Sequence, residues 1–476
     1  MIFTSYTYVV FVLAVFFIYW SLPVAWRKPL LIAASYLFYC SWKWQYGFLL
    51  LGVTLFNWGY ARWILSRSSA TGLLFIGVAI NLAPLVYFKY THFLLANLDA
   101  VLHAVELSWH LPMPEILLPL GISFFTFQGM AYLVDVAAGE PPLMSLQDFM
   151  QFKAFWPQLI AGPIIRLGEI REQLETPRLL DYDNLAYGTQ RIIKGFFKKV
   201  VVADTLAPFA DMAFFPGASV NGLDVIVGAV IFGLQIYFDF SGYSDIAIGT
   251  ARLFGFVFPE NFDWPYLARS PQEFWTRWHM TLSRWIRDYV FTPLVFVGRR
   301  HPRVKHWCLL GAMAICGLWH GAQWTFICWG VWHGLLLVAN QTLLKPFFVD
   351  EAASRGGGVF RKMSAWALTF GLVTYGWIFF RAASLAQVWS MTKAAVTLKG
   401  GLRPAVLREN AILIAFVVLA AMLLSGVWDH FARRSPNDES GERLWRQALG
   451  VGVTVIMIIS VIVFDSEAKT FVYFQF

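Results

Sequence analysis

A chain of 476 residues that is 58% hydrophobic, 18% aromatic and only 14% charged, with a mean hydropathy of +0.57, falls far outside the soluble globular range of about 25% charged residues. That balance excludes a water-soluble enzyme, and because apolar residues run together rather than alternating, it argues against a membrane β-barrel. The net charge of +8 is spread over loops beside apolar runs, where it orients spans and gives no ground for nucleic-acid binding.

The first apolar run, residues 6–24, has no Lys or Arg before it and no clean cleavage pattern after it, so it reads as a retained anchor. Arg27 and Lys28 follow at once, and Arg62 and Arg67 sit at and just beyond the end of a third run. The positive-inside rule therefore predicts an N-terminus outside the cytoplasm. Spans are expected near 29–41, 46–64, 72–90 and 92–106. From Leu111 to Pro163, Pro112, Pro114, Pro119, Gly121, Pro157, Gly162 and Pro163 predict broken or re-entrant pieces, tolerated at membrane depth only where protein or a cavity covers the backbone.

The polar stretch Gly168–Asn184 is expected as a loop or surface helix, and RIIKGFFKKVVVAD from Arg191 mixes basic and aromatic residues as interfacial helices do. Residues 223–254 form the next apolar unit. The tract after Pro259, NFDWPYLARSPQEFWTRWHMTLSRWIRDYVFTPL, carries too many charges to span lipid and must lie in an interface or inside the protein. The 39 residues from His306 to Leu344 contain no Asp, Glu, Lys or Arg. One helix of that length would measure about 58 Å, nearly twice the hydrocarbon thickness, so a hairpin is predicted, with Lys305 and Lys345 on the cytoplasmic side. Spans at 365–380, 410–427 and 446–464 complete an all-α polytopic bundle of about 10–12 spans, read as one membrane domain over 1–476.

His320 stands inside that uncharged stretch, in GLWHGAQWTFICWGVWHG. A buried imidazole without a partner is costly in a bilayer, and ionisable groups at such depth serve chemistry or a wet pathway. Beside it, Gly321 permits close approach and Trp319 supplies an apolar wall with a polar edge. His279, flanked by Trp278, and His333 share this membrane-associated setting, with a structural hydrogen-bonding role as the competing account of His333. The other six histidines lie near charged residues or span ends. Asp239 and Asp245, with Ser241 and Ser244 in FDFSGYSDIAIG, serve either as glue between helices or as the lining of a substrate passage. Arg277, Arg284 and Arg287 are candidate partners for Glu273, Asp288 or these aspartates, or for phosphates. Cys40, Cys308, Cys316 and Cys328 form no C-x-x-C pair, and the histidines lack the usual ligand spacing, so no metal is expected.

The blocks LPLGISFFTFQ from Leu118, FWPQLIAGPI from Phe155, FDFSGYSDIAIG from Phe238, QEFWTRWHMTLSRWIRDYVFTPL from Gln272, GLWHGAQWTFICWGVWHG from Gly317 and WIFFRA from Trp377 together resemble the membrane-bound O-acyltransferase family, and within it the bacterial alginate O-acetylation branch. They cover roughly residues 110–385. The resemblance implies a helical fold around a central tunnel, with His320 catalytic and His279 at the second family position. It implies acetyl-CoA as cytoplasmic donor and an acceptor on the far side. His320 would take the proton of the acceptor hydroxyl as it attacks the thioester, while His279 or a nearby donor positions the acyl carbonyl. Arg299, Arg300 and Arg303 would attract the anionic donor if cytoplasmic, although orienting the span explains them equally well. A periplasmic O-acetyltransferase and a polysaccharide synthesis and export complex are the implied partners. The spans beyond residue 405 favour this branch over D-alanyl transfer to teichoic acid. Peptidoglycan or cellulose acetylation stays open, and an ion-coupled secondary transporter is the rival class.

Overall fold

The computed structural model describes residues 3–67, 70–106, 112–215, 221–298, 303–344, 358–398, 411–432 and 440–464. In lipid the backbone must satisfy its own polar groups, and every regular element among these residues is helical. Tyr6–Ser21, Val24–Cys40 and Gln45–Leu65 match the first three expected spans. Pro23 ends the first turn-around, and Ser5 caps the first helix by accepting from the Tyr8 N–H at 3.2 Å. Two expected spans, 72–90 and 92–106, are instead one continuous course, Thr71–Ala104. Between them lies a π-helical turn, Val86–Tyr90, two residues after Pro84, and the helical course runs through both.

The punctuated region is less broken than predicted. Gly121, at φ +71°, starts an uninterrupted helix, Ile122–Ala137. Past it the expectation of short pieces holds, with Leu146–Ala154 and Trp156–Leu159 both buried through most of their length. Leu167–Glu175 supplies the surface helix expected in the polar stretch.

Gly222–Leu253 is the axis of the molecule. Of its most apolar window 72% is buried, against 17% for Thr71–Ala104, so the former is central and the latter mostly lines the lipid. Tyr182–Phe196 packs along it at very short range, since a Cβ added at Gly195 would lie 2.6 Å from the Gly242 carbonyl oxygen. Small residues allow this approach where helices have no hydrophobic drive to associate in lipid.

That contact overturns the interfacial expectation for RIIKGFFKKVVVAD. Arg191, Lys194, Lys198 and Lys199 are all buried and turned toward carboxylates. Asp245 receives Arg191 at 2.6 Å and Lys198 at 2.7 Å, Lys194 meets Asp429 at 2.6 Å, and Lys199 bridges Asp204 at 2.6 Å and Asp239 at 2.9 Å. Buried charges are tolerated when paired, and alternating basic and apolar residues that look interfacial in sequence are here the partners of aspartates on the axis and on other helices.

The uncharged stretch is a hairpin, Val304–His320 followed by Trp324–Thr342. Lys345 lies outside the described residues. The polar tract after Pro259 is folded inside the protein as short helices, Pro271–Arg277 and Met280–Ile286. Val359–Arg381, Ala411–Ala432 and Ser440–Val463 correspond to the last three expected spans.

Candidate active site

His320 is the last residue of its helix. Gly321 is extended at φ −154° and ψ 144°, which turns the chain out of the helix and into the start of Trp324–Thr342. The two arms of the hairpin are pressed together, because a Cβ at Gly317 would lie 2.1 Å from the Phe326 carbonyl oxygen. His320 is thus held 4% exposed among Trp319, Trp329 and Phe380, with ring centroids 4.9, 4.9 and 5.4 Å away.

His279 comes to the same place from a different part of the chain. It occupies the left-handed region at φ 41° and ψ 53°, between the helices Pro271–Arg277 and Met280–Ile286. Such a conformation costs on the order of 1–3 kcal/mol for a residue with a Cβ and persists where surroundings over-determine it. Here the Met280 N–H donates to the Asn261 carbonyl at 2.9 Å, and the imidazole is clamped by Phe240, whose ring stands edge-on at 4.7 Å. The His279 and His320 ring centroids are 6.5 Å apart.

A directional chain of hydrogen bonds settles the tautomer of His279. The Ile164 N–H donates to Thr281 Oγ1 at 3.1 Å, and Thr281 Oγ1 donates to Asn261 Oδ1 at 2.9 Å. The Thr281 N–H donates to that same oxygen at 3.3 Å. A backbone N–H cannot accept, so the Asn261 carbonyl must face this way while its amide nitrogen donates to Ser244 Oγ at 3.2 Å. His279 Nδ1, 3.1 Å from Asn261 Oδ1, must then carry a hydrogen. Its Nε2 is buried with no hydrogen-bond partner among the described residues. A second proton there would bury an unpaired charge against Phe240 and Phe262, so Nε2 is a bare acceptor. In this state His279 Nε2 can accept a hydrogen bond but cannot donate one. Trp329 Nε1, buried without a partner among the described residues, belongs to the indole beside His320.

His333 is fully buried, and both its ring nitrogens lack partners among the described residues. It lies 4.9 Å from the Trp329 ring centroid and 5.3 Å from that of Trp275, so Trp329 separates it from His320 within one aromatic row. Trp319 stacks on Phe127 at 5.3 Å, and Trp278 stacks on Phe274 at 5.6 Å; both are walls. Ser241 and Asp245 line a small polar cavity with Arg191, Lys198, Ser244 and Asn261, one side chain behind His279. Asp239 lies beside it on the axis, held by Lys199.

The remaining arginines do not join this centre. Arg277 pairs with Glu273 at 2.9 Å and Arg284 with Glu169 at 3.4 Å, not with the aspartates on the axis. Arg287 is committed to Asp288 at 2.6 Å; burial alone would raise that carboxyl, but hydrogen bonds from Arg287 and Arg166 hold it below the ordinary carboxylate range. Arg303 is exposed at the opposite end of the helix that ends in His320, about 25 Å along its axis. Arg299 and Arg300 lie outside the described residues. No cluster of three or more metal-ligating side chains occurs among the described residues.

Sequence reasoning missed two side chains at this centre. Lys89 Nζ donates to the carbonyl oxygens of Trp319 at 2.6 Å and His320 at 3.1 Å; its signal was a lone lysine inside a long apolar run. Asn261 had no signal beyond its place in a polar tract.

The fold and this centre define an all-α, polytopic membrane protein that buries two imidazoles near each other, with ring centroids 6.5 Å apart and planes inclined at 61°. The model of the membrane-bound O-acyltransferase family matches residues 120–385, and the chain belongs to that family and is an O-acyltransferase. Among its relatives, the "Probable alginate O-acetylase AlgI" of Azotobacter vinelandii is 36% identical over the whole of both chains. The protein of the same description from Pseudomonas aeruginosa is 40% identical over 83% of this chain and 74% of its own. The "Peptidoglycan O-acetyltransferase" of Helicobacter pylori is 35% identical over 78% of this chain and 74% of its own.

Proposed function

We propose that the protein moves acetyl groups from cytoplasmic acetyl-CoA across the inner membrane for O-acetylation of an exported, alginate-like polysaccharide, handing them to a periplasmic O-acetyltransferase within a synthesis and export complex. The observation that supports this is the meeting of His320 and His279, both buried, with ring centroids 6.5 Å apart. In the proposed reaction an acceptor hydroxyl loses its proton to His320 as its oxygen bonds to the thioester carbonyl carbon. The carbon–sulfur bond then breaks, and the imidazolium returns that proton to the departing thiolate. His279 Nε2 receives a hydrogen bond from a further donor on the substrate, and an indole N–H holds the carbonyl. Arg27, Lys28, Arg62 and Arg67 support an N-terminus on the periplasmic side, which leaves the donor and acceptor on opposite faces of one centre.

Ester-linked acetate released from the exported polymer tests this directly. His320→Ala is expected to abolish it at normal protein level; undiminished acetate in that variant refutes the assignment. The Helicobacter relative supports a peptidoglycan acceptor as the second reading, distinguished by which polymer loses acetate. Asp239 and Asp245 are held by lysine and arginine side chains, which weighs against ion-coupled transport.

A further inference from the structure

A lysine in a lipid-lining helix ordinarily extends its side chain toward the interface. Lys89 does the reverse. It belongs to the π-helical turn Val86–Tyr90, and such a turn inserts a residue and re-aims the side chains around it. Lys89 Nζ reaches inward to the Trp319 and His320 carbonyls, 5.9 Å from the Trp319 ring centroid, and Tyr90 Oη donates to the Leu318 carbonyl at 3.1 Å. These are three successive carbonyls at the C-terminus of Val304–His320. Gly321 leaves the helix immediately, so they belong to the set that a helix end cannot satisfy from within. Two adjacent residues of one π turn thus supply donors to three consecutive carbonyls ending at His320.

We infer that Lys89 is a positioning residue for His320, fixing the peptide from which the imidazole projects, with Tyr90 as its second point of attachment. This rests on His320 being the base of the proposed transfer. Lys89 Nζ donates to two main-chain oxygens and stands over the Trp319 ring, so it acts through geometry and not by contact with substrate. Removing it frees the end of the helix to fray, which moves the imidazole relative to the thioester without altering where the donor binds.

The test uses the full-length protein in membrane vesicles with acetyl-CoA as the probe, following release of free thiol. Lys89→Met is expected to lower kcat by about tenfold to a hundredfold, the cost of a misplacement near 1 Å, with KM for acetyl-CoA unchanged. Lys89→Arg, which keeps N–H donors, should recover part of that loss. Backbone amide exchange across residues 317–323 should accelerate in Lys89→Met, and this readout stands whether or not acetyl-CoA is the donor. Wild-type kcat or unchanged exchange in Lys89→Met overturns the inference. If Lys89→Met does not accumulate, Tyr90→Phe decides: a lower kcat at unchanged KM supports the cap, and wild-type kcat and exchange refute it. His320→Ala run in parallel separates the two layers. Its full activity would defeat the reading of His320 as base, whereas an inactive His320→Ala beside a fully active Lys89→Met would defeat the role of Lys89 alone.

Discussion

Replacing Asn261 tests the tautomer argument at its root. Asn261 Oδ1 accepts from the Thr281 N–H, Thr281 Oγ1 and His279 Nδ1 at 3.3, 2.9 and 3.1 Å, and Asn261→Leu removes that oxygen while roughly keeping side-chain volume. Each buried donor left unsatisfied costs about 1–3 kcal/mol. For His279 the escape is to move the hydrogen to Nε2 or rotate the ring, and either change destroys the bare acceptor. If about 1.4–2.7 kcal/mol of that cost appears in the transition state, kcat falls about tenfold to a hundredfold. Asn261→Asp retains an oxygen for the same three donors, and Ser244 can reverse its hydroxyl toward the new carboxylate. That variant should keep most of the activity, and its pH–rate profile should shift because a carboxylate now faces the imidazole. Thiol release from acetyl-CoA in vesicles, normalised to protein in the membrane, reads both variants. Equal activity of Asn261→Leu and wild type, or equal inactivity of the Leu and Asp variants at normal protein level, would refute the reasoning.

Three further outcomes are expected. His279→Ala should impair polymer acetylation and His333→Ala should do so less, with His320→Ala lowest, by about a hundredfold or more; equal loss of protein in all three, seen by immunoblot of membranes, would assign the histidines to packing. Asp245→Asn leaves Lys198 without its buried counter-charge and Arg191 with Glu260 alone, a change worth about 3–5 kcal/mol, and should depress the melting temperature in detergent, while a wild-type melting curve would show that the cluster is not paired as described. Gly317→Val forces atoms against the Phe326 carbonyl, which lies 2.1 Å from the position of a Cβ. It should lower both protein level and activity, whereas Gly311→Ala, where a Cβ would meet nothing within 4 Å, should lower neither; a fully active Gly317→Val would refute the tight hairpin.

Much of the fold could be read from the chain because lipid leaves the backbone few options. Long apolar runs had to be helices, and an uncharged stretch nearly twice the width of the hydrocarbon had to fold back on itself, which it does between His320 and Trp324. The errors share a cause. The division of Thr71–Ala104 into two spans came from length alone, which has no means of registering a π turn. The basic residues from Arg191 to Lys199 were placed at an interface because their buried partners, Asp204, Asp239, Asp245 and Asp429, are up to 235 residues away in sequence. At the site, composition singled out His320 and His279 because an imidazole among tryptophans is conspicuous. Asn261 was invisible, and the lone Lys89 conspicuous but without an evident role, for the opposite reason: each acts through one hydrogen-bonding atom whose meaning depends on what the fold sets against it.

The segment Thr71–Ala104 lies largely on the outside of the bundle, yet two adjacent side chains of it, Lys89 and Tyr90, grip the main chain that leads to the His320 imidazole. Helices answer a mismatch between their own length and the surrounding bilayer by changing tilt. A shift of that kind in this outer rod would be delivered straight to the end of the helix that bears His320, so the thickness of the host membrane becomes a setting for turnover as well as a solvent for the protein.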